Sequence, residues 1–169
     1  MGTIDRSQLL AALERERALY RRRTPESSRL FGEARHLLGG VPMTWMNKWA
    51  GDHPIYFATA KGNRIIDVDG NEFIDFALGD TGAMAGHSPD ATVRAVRHRI
   101  EDAGGITTML PTDDAEWVAE DLSRRFGMSQ WSMSLTATDA NRWALRIARL
   151  VTGRNKICAF SYCYHGAVD

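Results

Sequence analysis

Cysteine is scarce in this 169-residue chain: Cys158 and Cys163 are the only two. Two cysteines make neither a disulfide scaffold nor a four-ligand zinc site, and they suit a reducing compartment. Lysine is scarcer than arginine suggests, with Lys48, Lys61 and Lys156 alone among 21 basic residues. An excess of either charge is missing too, because 21 acidic residues balance the basic ones. That balance argues against a generic nucleic-acid or anionic-membrane binder, which carries a basic surplus. No apolar run approaches the length of a membrane span. The opening MGTIDRSQ lacks the apolar core of a signal peptide, so the expected location is cytoplasmic. No repeat or low-complexity tract is visible. No GxGxxG precedes a helix, and no P-loop lysine stands at a strand-to-helix corner.

What is present is a 44% apolar content, enough for a core, and a clear succession of elements. Residues 5–23 read as a helix with a partial stripe of Leu9, Leu13 and Tyr20, ended by Pro25 and Ser27–Ser28. Its arginines, Arg15, Arg17 and Arg21 to Arg23, read as a solvated end or an edge near a partner. Residues 39–47, GGVPMTWMN, form an irregular connector rich in Met and Trp. Residues 64–77, RIIDVDGNEFIDFA, read as an antiparallel ribbon turning at Asp69-Gly70, a pair suited to positive φ. The loop ALGDTGAMAGHSP at 77–89 is glycine-rich. Helices are expected over 89–103, stopped by Gly104-Gly105, and over 113–126. The second has Asp113 and Glu116 as a capping box, Trp117, Val118, Leu122 and Phe126 turned inward, and Gly127 as its stop.

A strand at 130–135, a helix at 138–151 and a strand at 156–162 then follow in an order that points to a parallel sheet under helices. The corner between the first strand and helix is Thr136-Ala137-Thr138. A helix N-terminus leaves amides unpaired and favours negative charge. Small residues there permit a phosphate to approach, and hydroxyls add donors. Thr136 serves equally well as a plain N-cap for an amide near Asp139. Both readings stand at this level. In open α/β sheets, ligands gather outside the carboxyl ends of strands. The next such end carries SYCYHG, so Tyr164 and His165 are expected near the corner, with the phenol able to stack on a flat heterocycle. No metal site is expected.

In order along the chain come GGV at 39–41, DVDGNEFIDF at 67–76, GH at 86–87 with Pro89, TATDAN at 136–141, RIAR at 146–149, TGRNKI at 152–157 and YHG at 164–166. This ordered set resembles the N-terminal portion of the class III aminotransferases, pyridoxal-phosphate enzymes of fold type I. Within them it resembles the group containing glutamate-1-semialdehyde 2,1-aminomutase. The resemblance implies an α/β fold, incomplete here. Residues 1–80 would supply the N-terminal helix and antiparallel ribbon of a small domain, and 81–169 the start of the large cofactor-binding domain.

It implies pyridoxal 5'-phosphate as cofactor, with Thr136, Ala137 and Thr138 cradling its phosphate, Tyr164 against its ring and His165 nearby. The family corner usually reads Ser-Gly-Thr-Glu-Ala; here Ala137 adds a methyl, Asp139 shortens the acid, and Leu135 stands where asparagine is common. Trp45, Met46 and Asp80 are implied substrate-binding residues. Thr107 and Thr108 are implied to reach a neighbouring subunit's site in a homodimer. The Schiff-base lysine and the aspartate for the pyridine nitrogen are expected beyond residue 169. None of the three lysines present fits the catalytic place, so the rest of the polypeptide is a required partner. The implied reaction is amino transfer between an amine or amino acid and a carbonyl compound. An intramolecular amino shift, a racemisation or epimerisation, or a non-catalytic scaffold are the alternatives.

Overall fold

A computed structural model of the chain describes residues 5–49, 51–107 and 109–167, so the expectation for Thr108 lies outside the described residues. The chain divides into two compact units, Met1–Thr107 and Thr108–Asp169. No helix among the described residues is long and apolar enough to cross a membrane.

The first unit begins with α1, Arg6–Arg23, whose N-cap Asp5 accepts from the amides of Ser7 and Gln8. Pro25 does end this helix, but it also begins another: α2 spans Pro25–Glu33, with the proline in its first turn. That position needs no amide hydrogen, and the fixed φ of proline suits it. The expected stripe on α1 is realised only at its end. Leu9, Leu10 and Leu13 remain exposed. Tyr20 donates its hydroxyl to the His53 carbonyl at 2.6 Å, and the two rings lie 5.0 Å apart.

The ribbon is a three-stranded antiparallel sheet in the order β1 (Phe57–Lys61), β2 (Arg64–Asp67), β3 (Glu72–Ile74). β2 and β3 pair Arg64 with Ile74, Ile65 with Phe73 and Ile66 with Glu72. The turn between them is not the two-residue type expected at Asp69-Gly70. Gly70 alone takes positive φ, at 81°, and four residues separate the strands. Backbone bonds from the Gly70 amide to the Asp67 carbonyl at 3.1 Å and from the Asp67 amide to the Asn71 carbonyl at 3.0 Å close the loop, and the buried Asp67 carboxylate braces it, accepting from the amides of Asp69 at 3.0 Å and Asn71 at 2.7 Å.

That geometry frees the Asp69 side chain for another task. It accepts from the amides of Glu26 at 2.6 Å and Ser27 at 3.0 Å, and from the Ser27 hydroxyl at 2.7 Å. Asp69 therefore caps α2 from 42 residues away in sequence. Burial pushes its carboxyl up, but these donors from Ser27 and Glu26 hold it below its usual value. Thr24 and His53 complete a polar cluster: the Thr24 hydroxyl donates to the Tyr20 carbonyl and lies 2.9 Å from His53 Nε2.

After β3 the chain enters residues 76–89, then α3 (Asp90–Arg97), which widens into a π-helical stretch over His98–Ala103. Gly104 and Gly105 stop it with φ of 67° and 70°, as expected. The loop before α3 holds four non-glycine residues in the left-handed region: Leu78 at 55°, Asp80 at 52°, Thr81 at 85° and Ser88 at 50°. Such conformations cost on the order of 1–3 kcal/mol each and persist only where surrounding contacts impose them.

In the second unit, α4 spans Asp113–Phe126 and α5 spans Ala137–Thr152, closed by Gly127 and Gly153 in left-handed conformations. The capping box expected at Asp113 does not form, since the N-cap is Thr112 and its side chain makes no capping bond. Nor do its apolar residues turn inward: Trp117, Val118 and Phe126 are exposed and Leu122 is half-buried. The segments 130–135 and 156–162 form no strands. A strand exists through its ladder of inter-strand bonds, and these two segments pair neither with each other nor with any other described residue. Leu135 and Phe160 are accordingly exposed.

Candidate cofactor site at the start of helix α5

α5 starts where it does because Thr136 is extended, at φ −142°, and its hydroxyl accepts from the Asp139 amide at 3.1 Å. The same hydroxyl donates to the Asp139 carboxylate at 2.9 Å. This reciprocal pair is a variant of the capping box, found at α5 rather than α4. It settles the local role of Thr136 as the N-cap. The amides of Ala137 and Thr138, by contrast, have no acceptor among the described residues. They are the two unpaired donors that a helix start offers to an anion.

The segment carrying Tyr164 and His165 returns to this same turn. Asn141, in the second turn of α5, donates its side-chain amide to the His165 carbonyl at 2.9 Å. Gly166 lies so close to Thr138 that a Cβ there would fall 2.3 Å from Thr138 Oγ1. Its φ of 86° is a second reason for glycine. The helix start and the YHG segment are thus brought together as expected, although the parallel strands from which that expectation was drawn do not form. Tyr164, His165 and Gly166 also line an open groove of about 620 Å³ along α5, with Ile157, Cys158 and Leu145 on its walls. Tyr164 itself is 86% exposed, so its ring face is available. Asn141 was not singled out by its sequence; only its place one turn after the corner hints at the contact.

The expected substrate residues lie in the first unit and fall into two places. Trp45 and Met46 line an apolar cavity of about 480 Å³ with Val41, Trp49, Tyr56 and Phe57. Asp80 does not line it. It sits in the left-handed stretch of the loop, with its amide bonded to the Ala77 carbonyl at 3.1 Å. Thr107 is exposed. Of the lysines, Lys61 pairs with Asp90 at 2.5 Å, and Lys48 borders the Trp45 cavity. No group of metal-ligating side chains occurs among the described residues.

Comparison with known proteins then decides the family. The profile of the aminotransferase class-III family matches residues 45–169. The chain belongs to the class-III aminotransferases. Over 151 residues it is 36% identical to glutamate-1-semialdehyde 2,1-aminomutase of Thermodesulfovibrio yellowstonii, covering 87% of this chain and 35% of that protein. Over 98% of its length it superposes on a glutamate-1-semialdehyde aminomutase of Pseudomonas aeruginosa, with a TM-score of 0.84 and 40% identity, and spans 36% of that chain. A form of the same enzyme in complex with PMP gives a TM-score of 0.85. A β-phenylalanine aminotransferase from Variovorax paradoxus, 29% identical, gives 0.80 over 93% of this chain and 36% of the other. The fold class is therefore α/β of fold type I, of which this chain spans the part corresponding to about a third of its relatives.

Proposed function

We propose that the intact protein uses pyridoxal 5'-phosphate to move an amino group between an amine or amino acid and a carbonyl compound. The observation that carries this reading is the α5 start: two unpaired amides, a threonine hydroxyl and a glycine-only contact, with Tyr164 on the adjoining segment. The donor set suits a phosphate, which takes several hydrogen bonds and needs close backbone approach. Thr136 supports this by ordering the turn, and Asp139 by keeping its carboxylate on the Thr136 hydroxyl. The Ala137 and Thr138 amides with the Thr138 hydroxyl would hold the phosphate, and Tyr164 would cover the ring beside His165. When bound, the cofactor supplies an electron sink for the carbon bearing the amino group. The proton-moving lysine would come from the rest of the intact polypeptide.

On this reading residues 1–80 belong to the small domain and 81–169 open the large one. Two copies form the active unit, and Trp45, Met46 and Asp80 serve the substrate. The exposed apolar side of α5 is then the surface that the rest of the polypeptide covers. A second reading, an intramolecular amino shift, is favoured by the relatives named as aminomutases. The test is a titration of the intact protein with pyridoxal phosphate, followed by visible absorbance and borohydride fixation. Cofactor uptake weakened about tenfold by Thr138→Val supports the site. No chromophore and no fixed cofactor would overturn it. Product formed from an amino aldehyde without any added carbonyl acceptor selects the shift over the transfer.

A further inference from the structure

The strained loop between β3 and α3 is clasped at both ends by groups that the reaction itself does not use. Asp75, at its start, is buried. One carboxylate oxygen accepts from the amides of Ala77 at 2.8 Å and Leu78 at 2.9 Å. The other accepts from His87 Nε2 at 2.7 Å, across the mouth of the loop. His87 is held in turn through its backbone, exchanging hydrogen bonds with Gly62 at 3.0 Å and 2.7 Å. Gly86 packs against Gly62, where a Cβ would come within 3.3 Å of the backbone. Beyond the loop, Lys61 donates to the Ser88 carbonyl at 2.7 Å. One buried carboxylate and one imidazole thus join β3, the loop and the β1–β2 turn.

Between these anchors stand Leu78, Asp80 and Thr81, all at positive φ and all exposed. A turn needing only to reverse the chain would place glycine or asparagine there. A β-branched residue at φ 85° is a genuine outlier, and strain of this kind concentrates where a side chain must be presented in one orientation. We propose that Asp75 and His87 are positioning residues: they hold residues 76–86 in the strained shape from which Asp80 meets the amino substrate. The proposal rests on the functional reading above for the role of Asp80. The clasp itself rests only on the contacts just described.

The experiment compares His87→Ala and His87→Gln with the unaltered intact protein. Three quantities are read: amide hydrogen exchange at Ala77 and Leu78, absorbance of the bound cofactor, and kcat and KM for the amino donor. In His87→Ala the two amides exchange at least about tenfold faster, KM rises about tenfold, and kcat and cofactor loading stay within about twofold. His87→Gln, which keeps a side-chain N–H donor, recovers most of both losses. Should the alanine variant not fold, His87→Leu keeps the bulk without the donor and carries the same expectation. Normal cofactor loading with an unchanged KM, whatever the exchange rates, overturns the positioning role. Failure of the unaltered protein to take up pyridoxal phosphate overturns the functional reading, and the substrate role of the loop with it.

Discussion

In Met1–Thr107 most of the buried residues are polar; in Thr108–Asp169 no described residue is buried at all. Among its described residues the first unit hides Thr24, Ser27, His53, Asp67 and Asp75 beside only Val41, Pro54 and Ala83. Each of those five polar side chains is hydrogen-bonded to a backbone group. Satisfied networks of this kind specify one geometry, because every alternative leaves a buried group unpaired. The second unit has well-formed helices with glycine stops, yet Ile147, Leu150 and Val151 face solvent. Its described residues meet through the Gly166–Thr138 contact with the Asn141 bond beside it, and through Trp131 against Phe126 and Ser123. The difference teaches that helix signals can be complete where a core is not, and that a small fold can be organised by carboxylates rather than apolar volume.

Asp69→Ala should have the largest effect on the first unit. It removes the acceptor for two α2 amides and leaves the Ser27 hydroxyl, buried at 0% exposure, without its acceptor. Loss of about 3 kcal/mol is expected, read by chemical unfolding followed through tryptophan fluorescence. A loss below about 1 kcal/mol would mean the polar cluster is incidental. Next comes Gly166→Ala, which forces a side chain into Thr138 at positive φ. It should cost about 1–2 kcal/mol, seen as faster amide exchange in the first turn of α5 while the first unit keeps its protection.

Acid should separate the units more gently. The His87 hydrogen bond, followed by the Leu78 amide, holds the Asp75 carboxyl below its usual range. A depressed carboxyl stabilises the fold above its unfolded value, near 3.9, and that stabilisation is lost as pH falls through the folded value. Protection of the Ala77 and Leu78 amides is therefore expected to hold at pH 5 and to be lost only as the pH falls from about 4 through the lower folded value. The smallest effect belongs to Leu150→Gln, at 85% exposure: under about 0.5 kcal/mol in the 169-residue chain by thermal melting. A larger loss would show that the apolar side of α5 is covered in solution.

Much of this was legible from residue order alone. Gly104, Gly127 and Gly153 mark helix ends because the left-handed stop is a local demand on one residue. The ribbon was visible because β2 and β3 flank a turn rich in Asp and Gly. The meeting of the α5 start with the YHG segment was expected from two parallel strand ends and is reached without those strands, while Asn141 as its clasp was not expected. The turn type was misread because Asp67 takes both backbone and side-chain bonds across a longer loop, with only Gly70 at positive φ. The capping box was placed at α4, where Thr112 precedes the acidic run without bonding to it, and found at α5. Local rules list the candidates for a cap, and they cannot choose between an acid that caps its own helix and one that serves another.

Residue order alone carried α1, α3, α4 and α5, the glycine stops, the antiparallel ribbon and the family to which the chain belongs, since each is written in neighbouring residues or in an ordered set of short motifs; it did not show α2. Only the tertiary structure decided that Asp69 caps a helix 42 residues earlier, that Asp75 and His87 close one loop, and that Gly166 lies on Thr138. Those are distances between residues far apart in the chain. A carboxylate's partner is whichever donor the folded backbone brings within 3 Å of it, and spacing along the sequence carries no record of that.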